Sequence, residues 1–156
     1  MDTGRTSPAA VGSVTTQAGM QEIAKLRQRD AAVRRHEQAH AATGGPHAGA
    51  PSYEYTQGPD GKQYATGGEV PIDTSPIRGD PQGTITKMET VRRAALAPSD
   101  PSAQDLKIAA QAQAEIGRAR ADLAEERLST ARATAGTRAG LIAIQEDRDQ
   151  NTRQAP

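Results

Sequence analysis

The chain has 156 residues, room for one domain at most, and only three Tyr with no Phe or Trp, so its core is expected to be small and built from Ala, Val, Ile and Leu. Nineteen basic and nineteen acidic residues cancel, which together with the scarcity of aromatics argues against a basic, base-stacking nucleic-acid surface. Cysteine is absent, excluding disulfides and thiolate ligands, so any metal site must use His, carboxylate and water.

Residues 1–19 are mostly Gly, Ser, Thr, Ala and Pro, which predicts a disordered leader. They hold no apolar stretch of the secretory type, and no run elsewhere approaches a membrane span. The default expectation is a cytoplasmic protein without a membrane partner, with export by a non-classical route left open. From Met20 to Thr43 helix formers dominate, without Gly or Pro. Ile23, Leu26, Asp30, Val33, His36, Glu37 and His40 follow steps of three and four along one stripe, while Lys25, Arg27, Arg29 and Arg35 take the opposite face. Gly44-Gly45-Pro46 ends the helix: Gly supplies a left-handed cap and Pro cannot continue it.

Within this helix, His36-Glu37-Gln38-Ala39-His40 reads HExxH, using two of the three histidines in the chain. Positions i and i+4 stack on one helix face, so both imidazoles can reach one metal ion. Glu37 lies on the flank of that face, within reach of a water held there. Asp30, two turns earlier, either orients a ligand imidazole or pairs with Arg34 at i+4, and the intrahelical pair is the simpler outcome.

Residues 47–79 read as short strands and turns. Ser52 to Gln57 and Lys62 to Thr66 flank Gly58-Pro59-Asp60-Gly61, a strong turn, and make a hairpin. Tyr53, Tyr55 and Tyr64 are either the aromatic body of this hairpin or donors to a developing oxyanion; packing is the simpler role. Glu69 to Asp73 predicts a third extended piece, held to an edge by Pro71. Asp80-Pro81 opens a second helix to about Ala97, with Ile85, Met88, Arg92 and Ala95 on its stripe. Asp100-Pro101 repeats the signal and opens a long polar helix towards Ala135, whose thin apolar stripe suggests an exposed, self-associating element. Residues 145–156 form a polar tail.

Several separated blocks are similar to one known family. Val33-Arg34-Arg35-His36-Glu37-Gln38-Ala39-His40-Ala41, Gly49-Ala50-Pro51-Ser52-Tyr53-Glu54-Tyr55, Gly58-Pro59-Asp60-Gly61-Lys62-Gln63-Tyr64-Ala65, Gly67-Gly68-Glu69-Val70 and Ile72-Asp73-Thr74-Ser75-Pro76 resemble the bacterial SprA-related family. The likeness continues through Val91 to Pro98 and Asp100-Pro101-Ser102. The family is described as metalloproteases, so the resemblance implies a zinc-dependent peptidase acting on protein or peptide.

The expected architecture is α+β: a zincin-like active-site helix, a small antiparallel hairpin or sheet, a second helix, then a long polar C-terminal helix between disordered termini. In chain order this gives a leader (1–19), a metalloprotease core (20–98), a helical extension (99–144) and a tail (145–156). Zn²⁺ is the natural occupant of a His/His/carboxylate set. His36 and His40 are ligands and Glu37 is the catalytic base in this reading. Glu69 is the first choice for third ligand: it follows two glycines that let backbone pack closely, and it lies in a block shared with the family. His47 is the second choice, one residue late for HExxHxxGxxH and with Pro46 intervening; Asp73 and Glu89 also stay open. The alternative reading is a catalytically inactive module, stabilised by metal or built from helices that bind a protein partner.

Overall fold

The computed structural model describes residues 16–153, with side chains as far as Gln145. The expected leader thus lies outside the described residues, apart from Thr16 onward. The elements in order are helix α1 (Gln17–Gly44), a 3₁₀ turn (Gly45–His47), strands β1 (Ser52–Gln57) and β2 (Gln63–Glu69), helix α2 (Pro81–Ala95) and helix α3 (Ala103–Arg153). The α+β architecture is therefore three helices and a two-stranded antiparallel sheet that packs on α1.

α1 begins three residues before the Met20 start expected above, because the Thr16 hydroxyl accepts the Gly19 N–H at 3.1 Å and caps the first turn. It ends as expected. Gly45 adopts φ +51°, and its N–H closes on the Ala41 carbonyl. Gly44 matters for a different reason: a Cβ there would sit 2.6 Å from Ala48 Cβ and 3.4 Å from Ala94 Cβ. The missing side chain lets the end of α1 lie directly on α2.

The hairpin turns where predicted. Gly61 N–H reaches the Gly58 carbonyl at 2.9 Å, Gly61 takes φ +75°, and the Tyr64 hydroxyl donates to Asp60 Oδ2 at 2.8 Å. In the register Tyr55 opposes Ala65 and Glu54 opposes Gly67, which leaves Thr66 as a bulge. The Thr66 carbonyl then accepts from Arg29 Nε at 2.8 Å, and Asp30 Oδ1 accepts the Ala65 N–H at 2.8 Å. These two bonds from one turn of α1 fix β2 across the helix. The third extended piece does not join the sheet. Beyond Glu69 the chain pairs instead with the segment after the 3₁₀ turn, through an Ala48–Ile72 bridge, Gly49 N–H to Pro71 O at 2.8 Å and Asp73 N–H to His47 O at 2.9 Å. Pro71 has no N–H to give a ladder, but its carbonyl still accepts.

α2 starts at the predicted cap: Asp80 accepts the Gly83 N–H at 2.7 Å, and Pro81 follows. Its inner face is Ile85, Met88, Val91 and Ala95, and Arg92 turns outward to Gln113 at 2.6 Å. The core forms where Ile85, Met88 and Val91 meet Ala112, Ile116 and Ala119 of α3. The alanines of α3 let the two helix backbones approach. The helix expected as an extension thus supplies half of the core in its first turns, because alanine counts as apolar surface when a Met–Ile–Val ridge fills the space above it. From Ala124 to Gln145 every side chain of α3 is exposed, and its backbone stays helical to Arg153, past the expected end near Ala135. Among the described residues, no helix is long and apolar enough to cross a membrane.

Candidate metal centre

The two histidines of α1 face the first turn of α3. His40 Nε2 lies 3.3 Å from Asp105 Oδ1, and His36 Nε2 lies 3.4 Å from Asp105 Oδ2. Their rings meet edge to face, with centroids 4.8 Å apart. The three ligand atoms fall within 4.8 Å of one another, so His36, His40 and Asp105 can hold a metal ion. Metal–ligand bonds of about 2.05 Å in a tetrahedron place ligands about 3.3 Å apart, which is close to the two His–Asp separations.

The chemistry of His40 gives a stronger test of fit. Its Nδ1 is 2.8 Å from the carbonyl of Ala94. A carbonyl only accepts, so Nδ1 carries the hydrogen, and in the neutral ring the lone pair sits on Nε2. That atom is buried, has no hydrogen-bond partner among the described residues, and faces a carboxylate oxygen. Lone pair against carboxylate is repulsive, and burial without a partner is costly. A cation between them relieves both faults. The carbonyl behind a ligand histidine also fixes its tautomer and orientation. Gly44 makes this possible, since the close contact of α1 with Ala94 brings that carbonyl within reach of the ring.

Asp105 is set in place by its own helix. Ser102 and Asp105 form a capping box: the Ser102 N–H donates to Asp105 Oδ2 at 2.7 Å, and the Asp105 N–H donates to Ser102 Oγ at 3.2 Å. Burial pushes the Asp105 carboxyl up, but the two Ser102 hydrogen bonds outweigh it, and its pKa is lowered on balance. The carboxylate is thus held ionised, as a ligand must be.

Glu37 is buried, and its carboxyl is pushed above the usual range, first by desolvation; His36 and His40 oppose that shift, and Asp105 and Glu69 add to it. Gly68 of β2 leaves room for it: a Cβ there would lie 2.9 Å from Glu37 Cγ and 2.8 Å from the Ser52 carbonyl. Cavities open on both sides of this pair. One, of about 460 Å³, is lined by His36, Glu37, His40, Glu69 and Asp105 among others; the second, of about 620 Å³, shares His36, Glu37 and Gly68.

The predicted site residues are therefore distributed unevenly. His36, Glu37 and His40 lie together. Glu69 lines the same cavity at the end of β2 but is outside the ligand-forming group of the described residues. The other third-ligand candidates are engaged elsewhere. Asp73 pairs with Lys87 Nζ at 2.6 Å, Glu89 with Arg120 at 3.6 Å, and the His47 backbone carbonyl accepts the Asp73 N–H at 2.9 Å. Asp30 takes the intrahelical partner, with Arg34 Nε 3.1 Å from both its oxygens. No tyrosine lines either cavity beside His36: Tyr64 is buried under its turn, and Arg34 lies over the Tyr53 ring at 4.9 Å. Asp105 falls outside the residues expected from sequence, because Asp100-Pro101 also reads as a helix start. The signal that finds it is Ser102-x-x-Asp105, a second start two residues further on.

No curated protein and no solved structure matches the chain. The sequence model of the SprA-related family matches residues 9–151, which takes in α1, the hairpin, α2, nearly all of α3 and every residue of the metal group. With nearly the whole chain matched, the protein belongs to the SprA-related family.

Proposed function

We propose that the protein is a zinc-dependent peptidase in which His36, His40 and Asp105 hold the metal and Glu37 is the general base. The observation that carries this reading is the buried, unpartnered Nε2 of His40 facing Asp105, with Nδ1 tied back to Ala94. Two imidazoles and a carboxylate are a donor set suited to Zn²⁺. When bound, the ion supplies Lewis acidity, lowering the pKa of water to about 7 and polarising a substrate carbonyl. Glu37 follows His36 directly and lines both cavities, so its carboxylate can take a proton from the attacking water and return it to the leaving amine. Its burial favours the protonated form, which suits the second half of that exchange. Protein or peptide is the substrate class in this proposal.

Metal analysis of the purified chain, alongside a cleavage assay on unfolded protein, tests the proposal. About one zinc per chain is expected in the wild type. His36→Ala and His40→Ala are expected to lose it, and Glu37→Gln to keep it while losing cleavage by at least about a hundredfold. A chain that folds normally and takes up no zinc overturns the reading. A Glu37→Gln variant that keeps both zinc and full function points instead to a metal-stabilised module without catalysis.

A further inference from the structure

The smaller cavity beside the metal group is acidic. Three carboxylates line it, from Glu37, Asp105 and Glu69, and no Lys or Arg does. The cavity is more than an acidic patch of surface. His40, with its side chain 3% exposed and its Nε2 without a partner, is aimed into it. Val70, Ile72 and Ile108 give it apolar walls, suited to the methylene stem of a long side chain whose charged end stays polar. Glu69 makes no side-chain hydrogen bond or ion pair among the described residues, and it lines the same cavity as Glu37. The cavity on the other side of Glu37 differs: Arg35 and Asp100 both line it.

We propose that this cavity receives a lysine or arginine side chain of a bound peptide and that Glu69 is the residue that selects it. The inference rests on the peptidase reading above, but it can be tested apart from cleavage. Fluorescent peptides identical except for Lys, norleucine or Glu at one central position are titrated into the zinc-loaded full chain. Anisotropy gives the affinity, and kcat/KM is measured wherever a peptide is turned over.

The Lys peptide is expected to bind at least tenfold more tightly than the Glu peptide, with norleucine between them and the spread shrinking at about 0.5 M salt. Glu69→Gln is expected to bring Lys and norleucine together, and Glu69→Lys to favour the Glu peptide, both with wild-type zinc content. Equal affinity for the Lys and Glu peptides overturns the proposal. So does a Lys preference that survives Glu69→Lys, or loss of zinc from Glu69→Gln, which would make Glu69 a ligand. A Lys preference with no cleavage of any peptide sinks the peptidase reading alone and supports selection of basic side chains by Glu69.

Discussion

His36 and His40 carry the same ring, yet replacing each has a different expected cost. The His40 side chain is 3% exposed and bonded to the Ala94 carbonyl, whereas that of His36 is 27% exposed and has no backbone bond. With a chelator present, His40→Ala should therefore still destabilise the fold by about 2 kcal/mol, through a cavity and a lost hydrogen bond, while His36→Ala should cost less than about 1 kcal/mol. Chemical denaturation of the metal-free variants measures the difference. Gly68→Ala makes a second test. Its Cβ would press on Glu37 Cγ and the Ser52 carbonyl at 2.9 and 2.8 Å. It should cost about 1–3 kcal/mol, keep the metal and reduce cleavage by displacing Glu37. At this scale the sequence was legible where geometry is local. His36, Glu37 and His40 are neighbours on one turn and can be read from spacing alone. Asp105 lies on another helix, some 65 residues from His40, and no periodicity links the two.

Helix ends were read well where one signal stood alone and poorly where two competed. Asp80-Pro81 caps α2 as expected; at α3, Asp100-Pro101 precedes the true start, which the Ser102–Asp105 box defines. Ser102→Ala should cost about 1 kcal/mol of stability through the lost cap. Because Ser102 also steadies Asp105, the same variant should weaken metal binding by about tenfold, measured by competition with a chelating dye. The hairpin was legible because Gly58-Pro59-Asp60-Gly61 fixes its turn locally. The run after Glu69 was not, since its partners at His47 to Gly49 come from the far side of the hairpin. On the α2 stripe Val91, expected beside it, is fully buried against α3, while Arg92 meets Gln113 of α3 at the exposed rim.

Across the whole molecule, α3 is two things in succession. Its first turns close the core, and from Ala124 to Gln145 its described side chains touch solvent. A chain truncated after Arg127 should accordingly keep the metal and melt within about 2 °C of the full chain in a thermal scan. The loop between β2 and α2 is held by a different device. Lys87 Nζ is 2.6 Å from Asp73, whose carboxyl that pairing, with help from Ser75, lowers from 3.8 to about 2. A carboxyl lowered by folding stabilises the fold above its unfolded value and loses that contribution as pH falls through the folded one. For Asp73 the window runs from near 3.8 down to about 2. Its side chain is 54% exposed, so solvent screening reduces the contribution to about 1 kcal/mol. Lys87→Met should flatten the loss of stability over that pH range, read from melting temperature against pH.

The position of Asp105 has one more consequence. The chain has no cysteine with which to staple itself, and few large side chains for a core. An ion held by α1 and α3 ties together segments roughly 65 residues apart, a span over which a covalent crosslink is worth several kcal/mol. Such an ion favours the folded state by being bound only there. A bound metal would then be a clasp between the first and last helices. That clasp needs no substrate and no Glu37: a chelator should lower the melting temperature of Glu37→Gln as far as that of the wild type, and should leave Asp105→Ala unmoved.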